Sequence, residues 1–299
     1  MTRPLMNLSE KRFSLKRASS RNQISGGISR RSAVLAAAIM GWCGAIQGAE
    51  IHEAAELGDL EKVKASLSQD PKQIDLLDAK GQTVLARAAR SGKQEVVEFL
   101  LAKGAKEDIY AAVVVGDVDK VAAFLKQDKK LVNARDSDGR APLHWAALYG
   151  QTKVMELLLA DKADVNLLDG DGFTPLHWAA TFNKRGAVEL LLANKADMNI
   201  KVAKYGWTPL RLAVIHGHMA AAEALLNGGA DPNAKDDENI PLLHQAVIRG
   251  KKEMVELLLD KKADLNTKDS AGETALDEAE EQGNKEIIEL LRQHGAKGK

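Results

Sequence analysis

The chain has 299 residues, of which 45% are hydrophobic and 28% are charged, a composition typical of globular proteins. Its net charge of zero combines two unlike parts, because residues 1–49 hold eight Lys or Arg against Glu10 alone. That segment carries +7, and the rest of the chain carries 34 basic and 41 acidic residues, or −7. A mildly acidic body argues against nucleic acid as the main partner, because phosphate binding requires a clustered basic face.

The first 49 residues have the pattern of an export signal. A basic stretch precedes an uncharged apolar run over residues 33–46, which is short for a membrane span. Ser29, Arg30 and Arg31 before that run resemble the twin-arginine signal. We expect cleavage after Ala45 or Ala49 and a periplasmic or secreted product. An uncleaved membrane anchor and an organelle transit peptide remain alternatives.

The remaining chain is built from a repeat. The alanines of an Ala-Asp-x-Asn phrase recur 33, 34 and 33 residues apart, at positions 163, 196, 230 and 263. Glycines follow a parallel series at 58, 92, 116, 150, 217, 250 and 283, with Asn183 in the missing slot. One step of that series, from 92 to 116, is only 24 residues, so one unit is short in its turn region. A fixed period of this size predicts a stacked-repeat solenoid.

Each unit predicts two helices and a turn. Thr174-Pro175 and Thr208-Pro209 place a capping hydroxyl before a proline, the pattern of a helix start. After each glycine slot, apolar residues at helical spacing predict a second helix with one buried stripe. Between units, Asp-x-x-Gly phrases predict tight turns.

These motifs resemble ankyrin repeats: Thr-Pro-Leu-His-x-Ala, a helix pair and Ala-Asp-x-Asn on a 33-residue period. The resemblance covers about residues 50–299 and is most specific from residue 135 onward. It implies an all-α ankyrin-repeat solenoid of about eight helix-turn-helix units with projecting β-turn loops. We therefore divide the chain into a targeting segment, 1–49, and a repeat domain, 50–299, with units at about 50–77, 78–106, 107–134, 135–167, 168–200, 201–234, 235–267 and 268–299.

No catalytic, cofactor-binding or metal-binding residues are predicted. The resemblance assigns His144, His177 and His244 a structural role, in which the imidazole bonds to the backbone of adjacent turns. His216 and His218 have no further Cys, His or carboxylate at ligand spacing. Nucleophile motifs and a phosphate-binding glycine loop are absent from the sequence.

Aromatic residues concentrate between positions 145 and 207. In the family that this chain resembles, several of these slots face a concave groove that contacts partners, and exposed aromatic patches usually mark interfaces. We predict an exposed apolar stripe with a basic rim, and the alternative is that these side chains pack along their own turns. The predicted partner-binding residues are Arg140, Leu148, Tyr149, Phe173, Phe182, Tyr205, Trp207, Ile215, Ile248 and Arg249.

The predicted function is that of an exported, non-enzymatic and monomeric interaction module. It would bind another protein through the concave groove, with no cofactor, no nucleic acid and no stable membrane insertion of the mature domain. One alternative, by family analogy, is an accessory, stress-protective protein that supports an exported enzyme of the catalase type. Another is a groove that binds a small ligand.

Overall fold

The computed structural model describes residues 50–79 and 81–297, which belong to one compact unit. The predicted export signal and its cleavage sites, at residues 1–49, lie outside the described residues. The described chain is all-α, which confirms the predicted fold class.

Sixteen α-helices follow one another in pairs along the described residues. Within that part of the chain, none is long and apolar enough to cross a bilayer. Two short 3-10 helices, Pro71–Asp75 and Lys129–Asn133, follow α2 and α6. The α-helices are α1 (50–57), α2 (Leu60–Gln69), α3 (Val84–Arg90), α4 (Gln94–Ala102), α5 (Ile109–Val115), α6 (Val118–Gln127), α7 (Pro142–Tyr149), α8 (Thr152–Ala160), α9 (Pro175–Thr181), α10 (Arg185–Ala193), α11 (Pro209–His216), α12 (Met219–Asn227), α13 (Leu242–Ile248), α14 (Lys252–Asp260), α15 (Ala275–Glu281) and α16 (Lys285–Gln293).

Each helix pair forms one unit, and successive units stack first helix on first helix and second on second. Small side chains such as Ala146 and Ala179, both fully buried, let the first helices approach closely. The buried side chains form two clusters. One covers units 1 and 2 and reaches Ala111, and the other runs from Ile109 to Leu291. The core is therefore divided near the junction between α4 and α5.

Left-handed residues end most of the first helices. Gly150 closes α7 with φ of 72°, and its amide donates to the carbonyls of Ala146 and Ala147. Asn183, which stands in a glycine slot, adopts φ of 53°. Since Gly and, less readily, Asn favour this conformation, the sequence pattern identifies the slot correctly.

A finger, as we use the term, is the turn that precedes the first helix of a unit. In fingers 4, 5, 7 and 8 an Asp side chain accepts backbone N–H bonds from residues two and four positions later, as Asp169 does from Asp171 and Phe173. Isolated β-bridges close fingers 2, 6 and 7. Unit 3 has no finger, because only residues 103–108 connect α4 to α5.

Candidate functional site

Buried histidines connect consecutive fingers. In each case the Nε2 atom donates to a carbonyl of the following finger, over 2.9–3.2 Å: His144 to Phe173, His177 to Trp207 and His244 to Glu273. The Nδ1 atoms of His144 and His177 accept the N–H of Ala141 and Thr174 at 3.0 and 3.1 Å, which assigns the tautomer. Burial lowers the pKa of His144, and it lowers the pKa of His177 to about 4. These side chains are structural, as the resemblance implies.

Arg211 replaces this histidine in unit 6. It donates to the carbonyl of Ile240, so it reaches the next finger as the imidazoles do. Its Nη1 lies 2.9 Å from Asp236 Oδ2, and both side chains are less than a tenth exposed. Burial lowers the pKa of Arg211, and the charge of Asp236 opposes that effect. This buried ion pair was not predicted, because the Thr-Pro-Leu-Arg phrase does not reveal the partner carboxylate.

Six rings form one continuous set of contacts across units 5 and 6, which we call the aromatic array. Phe182 stacks on Trp178 at 5.9 Å, and Trp178 lies 5.4 Å from Phe173. Phe173 meets His177 edge-on at 5.7 Å, and His177 bonds to the Trp207 carbonyl. Trp207 then stacks on Tyr205 at 4.5 Å.

Exposure separates the members of the array into two groups. Phe182 and Tyr205, at its two ends, are 44% and 40% exposed, and Ile248 in unit 7 is 41% exposed. Phe173 and Trp207 are half-buried, as is Ile215. The outer rings are therefore available to a partner, and the inner rings position them.

The structure corrects the predicted stripe at two positions. Leu148 is buried within the main core cluster, so it is not part of an exposed surface. The Tyr149 hydroxyl donates to the carbonyls of Ala89 and Arg90, at 2.9 and 3.1 Å, across about sixty residues of chain. Burial raises the Tyr149 pKa to about 12. Tyr149 is thus held by α3 and is not a free aromatic anchor.

The two predicted rim arginines differ in their surroundings. The Arg140 guanidinium lies over both Trp145 and Trp178, with its carbon 5.0 and 4.3 Å from the ring centroids. The indole N–H groups of these tryptophans donate to Asp136 and Asp169 at 3.0 and 2.8 Å. Arg140 is therefore fixed by stacking between two units. Arg249 is half-buried, and its Nε atom has no hydrogen-bond partner among the described residues.

Two exposed aliphatic residues were missed by the sequence analysis. Leu57 and Val115 are 65% and 42% exposed. Each stands immediately before a helix-ending glycine, the repeat position that Phe182 occupies in unit 5. That shared register was the signal that could have identified them.

A polar cavity of about 220 Å³ lies where unit 3 lacks its finger. Arg87, Arg140 and Gln82 line it, and the two arginine Nε atoms and the glutamine Oε1 atom have no hydrogen-bond partner in the part of the chain that the structure describes. Carboxylates also lie beside the arginines that line this cavity. Arg87 pairs with Glu56 at 2.8 Å, and Arg90, a third arginine of the lining, pairs with Asp138. Elsewhere, in the final unit, Glu273, Glu278 and Glu281 place carboxylate oxygens within 4.8 Å of one another.

Comparison with known proteins agrees with this architecture. The family model described as ankyrin repeats (3 copies) matches residues 51–169, 109–202, 163–236 and 229–299. The chain therefore belongs to the ankyrin-repeat family, whose repeats generally mediate protein–protein interaction and are typically not enzymes.

One relative is the ankyrin repeat domain-containing protein SAT10 of Stachybotrys chartarum (strain CBS 109288 / IBT 7711). It is 30% identical over 110 residues, which is 36% of this chain and 6% of that protein. The similarity covers repeats only, and the chain spans a small fraction of its relative's length.

Proposed function

We propose that this protein is a non-enzymatic interaction module that binds a partner protein through the first-helix ends of units 5 to 7 and through fingers 5 and 6. The observation that carries the proposal is the aromatic array, with Phe182 and Tyr205 exposed at its ends and Trp207 and Phe173 supporting them. Large aromatic side chains that are already ordered lose little conformational freedom on binding, and they dominate interface energies.

Stacking and hydrogen bonds hold the array in place before any partner arrives. The Trp178 ring lies between Phe182 and Phe173, and its N–H is bound by Asp169. The Trp207 carbonyl is bound by His177. A surface fixed in this way supports binding with little rearrangement.

The test is capture of partners from the source organism's envelope fraction by the full chain and by a Phe182→Ala/Tyr205→Ala variant. Because both side chains are well exposed, the variant should keep wild-type helicity and lose at least tenfold of the captured partner, on the order expected for two hot-spot residues. The matched control is Leu77→Ala/Leu168→Ala, which truncates side chains 60% and 44% exposed outside the array. Equal capture by the two variants would contradict the proposal.

We also propose export of the protein, on the pattern of residues 1–49 alone. Mass spectrometry of the protein isolated from its source should find an amino terminus at residue 46 or 50. A chain that retains residues 1–49 in the cytosolic fraction would contradict this.

A further inference from the structure

The first-helix ends of units 4 to 7 carry no acidic residue. At the two positions before each glycine or Asn slot, and at the one after it, these units contain no Asp or Glu, although residues 50–299 as a whole carry −7. The charged residues there are all basic, and together with two histidines they form what we call the basic strip: Lys184, His216, His218, Arg249 and Lys251. Carboxylates appear again at the same positions only in outlying units, such as Asp117 in unit 3 and Glu281 in unit 8.

Contacts between neighbouring units make the basic strip continuous. A Cβ built on Gly150 would lie 3.1 Å from Lys184 Cδ, so the lysine stem lies across the end of α7. Lys251 lies in the same way across Gly217, at 3.1 Å from its Cε. His218 donates from Nε2 to the Thr181 carbonyl at 2.9 Å. Lys184, His218 and Lys251 therefore each extend over the end of the first helix in the preceding unit.

The cations of the strip have no anionic partner within the described residues. Lys184, Arg249 and Lys251 take part in none of the ion pairs that the described chain forms within 4.0 Å, and Arg249 Nε is buried without an acceptor. Their immediate neighbours differ, since Arg185 pairs with Glu223 at 3.0 Å and Lys252 with Glu286 at 3.2 Å. Burial lowers the pKa of His216, and the charges of His218 and Arg249 lower it further. Lys184, Arg249 and Lys251 thus give the strip positive charge that no ion pair among the described residues compensates, on a repeat region, residues 50–299, whose net charge is −7.

We infer that the basic strip binds an acidic segment of the partner protein. This inference rests on the proposed function, because Phe182 and Ile248 stand beside the strip at the same helix ends and would receive the segment's apolar side chains. Asp and Glu of that segment would pair with the Arg249 guanidinium and the two ammonium groups, which form no ion pair among the described residues, and complementary charge would select the partner.

Charge also favours an acidic peptide segment over two other ligands of the basic strip, the chain's own residues 1–49 and a nucleic acid. The chain's own residues 1–49 carry +7, so the strip would repel them. A nucleic acid would approach the same cations, but Asp171 and Asp237 are exposed at the neighbouring finger tips and would repel its phosphates. A peptide segment can place its carboxylates over the strip alone.

The experiment is selection of short random peptides by the immobilised full chain, followed by affinity measurement with labelled copies of the selected peptides. We expect Asp and Glu to be enriched together with apolar residues, and affinity to fall as salt rises. Arg249→Glu/Lys251→Glu should reduce affinity roughly tenfold or more, because glutamates at these two positions would repel the carboxylates of the bound peptide. The matched control, Lys126→Glu/Lys268→Glu, makes the same change of net charge at exposed lysines outside the strip and should change affinity less than twofold.

Other outcomes would overturn the inference. Selected peptides without acidic enrichment, whose affinity survives charge reversal but falls with Phe182→Ala/Tyr205→Ala, would leave the proposed function standing and remove the basic strip from it. A labelled single-stranded DNA that binds the wild type and not the reversed variant would identify a nucleic-acid site instead. Self-association in sedimentation that only Arg249→Glu/Lys251→Glu abolishes would identify a second copy of this chain as the occupant.

Discussion

Arg90 and Asp138, 48 residues apart in the chain, form an ion pair across the position where unit 3 lacks its finger. Arg90 belongs to α3 in the amino-terminal core cluster, and Asp138 belongs to finger 4. The Arg90 guanidinium also lies 5.2 Å from the Trp145 ring, and Gln82 donates to Ser137 beside it. Polar contacts thus connect units 2 and 4 where the apolar core is divided.

Loss of this connection should weaken the amino-terminal units. We expect Arg90→Ala and Asp138→Ala to be coupled by about 1–3 kcal/mol in a double-mutant cycle, since the pair is partly buried and hydrogen-bonded. Arg292 and Glu280, whose side chains are 60% and 38% exposed, provide the control, with coupling of roughly 0–1 kcal/mol. Denaturant unfolding measures both cycles, and equal coupling in the two pairs would contradict the role of Arg90.

Acid should destabilise the fold partly through His177. Its folded pKa is about 4, below the ordinary value of 6.5, because burial disfavours the charged imidazole. As the pH falls below 6.5, His177 is protonated in the unfolded chain before it is protonated in the folded one. Its contribution to stability is therefore fully present above pH 6.5 and is lost as the pH falls toward 4. The loss from this residue approaches roughly 3 kcal/mol at most.

His177→Gln isolates this contribution, because an amide can still donate to the Trp207 carbonyl but does not titrate. We expect the variant to be less stable than the wild type at pH 7.5 and to approach or exceed its stability at pH 4.5. Denaturant midpoints at the two pH values test this. A stability difference that does not change with pH would show that His177 is not the titrating group.

A glycine at finger 4 allows two fingers to approach. Gly139 has φ of 75°, and a Cβ there would lie 2.7 Å from the Gly170 backbone nitrogen, whose N–H donates to Asp138 O at 2.9 Å. Gly272 has φ of 79° with no atom within 4 Å of its Cβ position. Both alanine variants lose about 1 kcal/mol from the left-handed backbone. Gly139→Ala should lose at least about 1 kcal/mol more in thermal or denaturant unfolding, because backbone must move. Equal losses would refute the close approach.

Removal of the Arg211 side chain should destabilise the fold more than its replacement by histidine, the residue at this repeat position in units 4, 5 and 7. Arg211→Met leaves Asp236 buried without its cation and should cost about 3–5 kcal/mol. Arg211→His restores a donor toward the Ile240 carbonyl and should cost clearly less. Urea unfolding of the wild type and the two variants measures these differences. A methionine variant as stable as the wild type would show that the ion pair contributes nothing.

The repeat period allowed prediction of the helix pairs and the left-handed Asn183, and the resemblance to ankyrin repeats implied the imidazole bonds to adjacent fingers. Each of these features depends on residues at fixed positions in one unit or the next. The burial of Leu148 and the Tyr149 bond to α3 could not be predicted in this way. Both depend on how unit 4 packs around a neighbour that lacks its finger, and Tyr149 contacts residues about sixty positions away. The position of Arg140 between two indoles likewise needs the three-dimensional spacing of units 4 and 5.

Hydrogen–deuterium exchange of the full chain, alone and with its captured partner, tests most directly which surface of the protein binds the partner. The account predicts slower exchange on binding at the carboxyl ends of α9, α11 and α13 and in fingers 5 and 6, with α8, α10 and α12 unchanged. Protection confined to those second helices, or to α15 and α16, would contradict it.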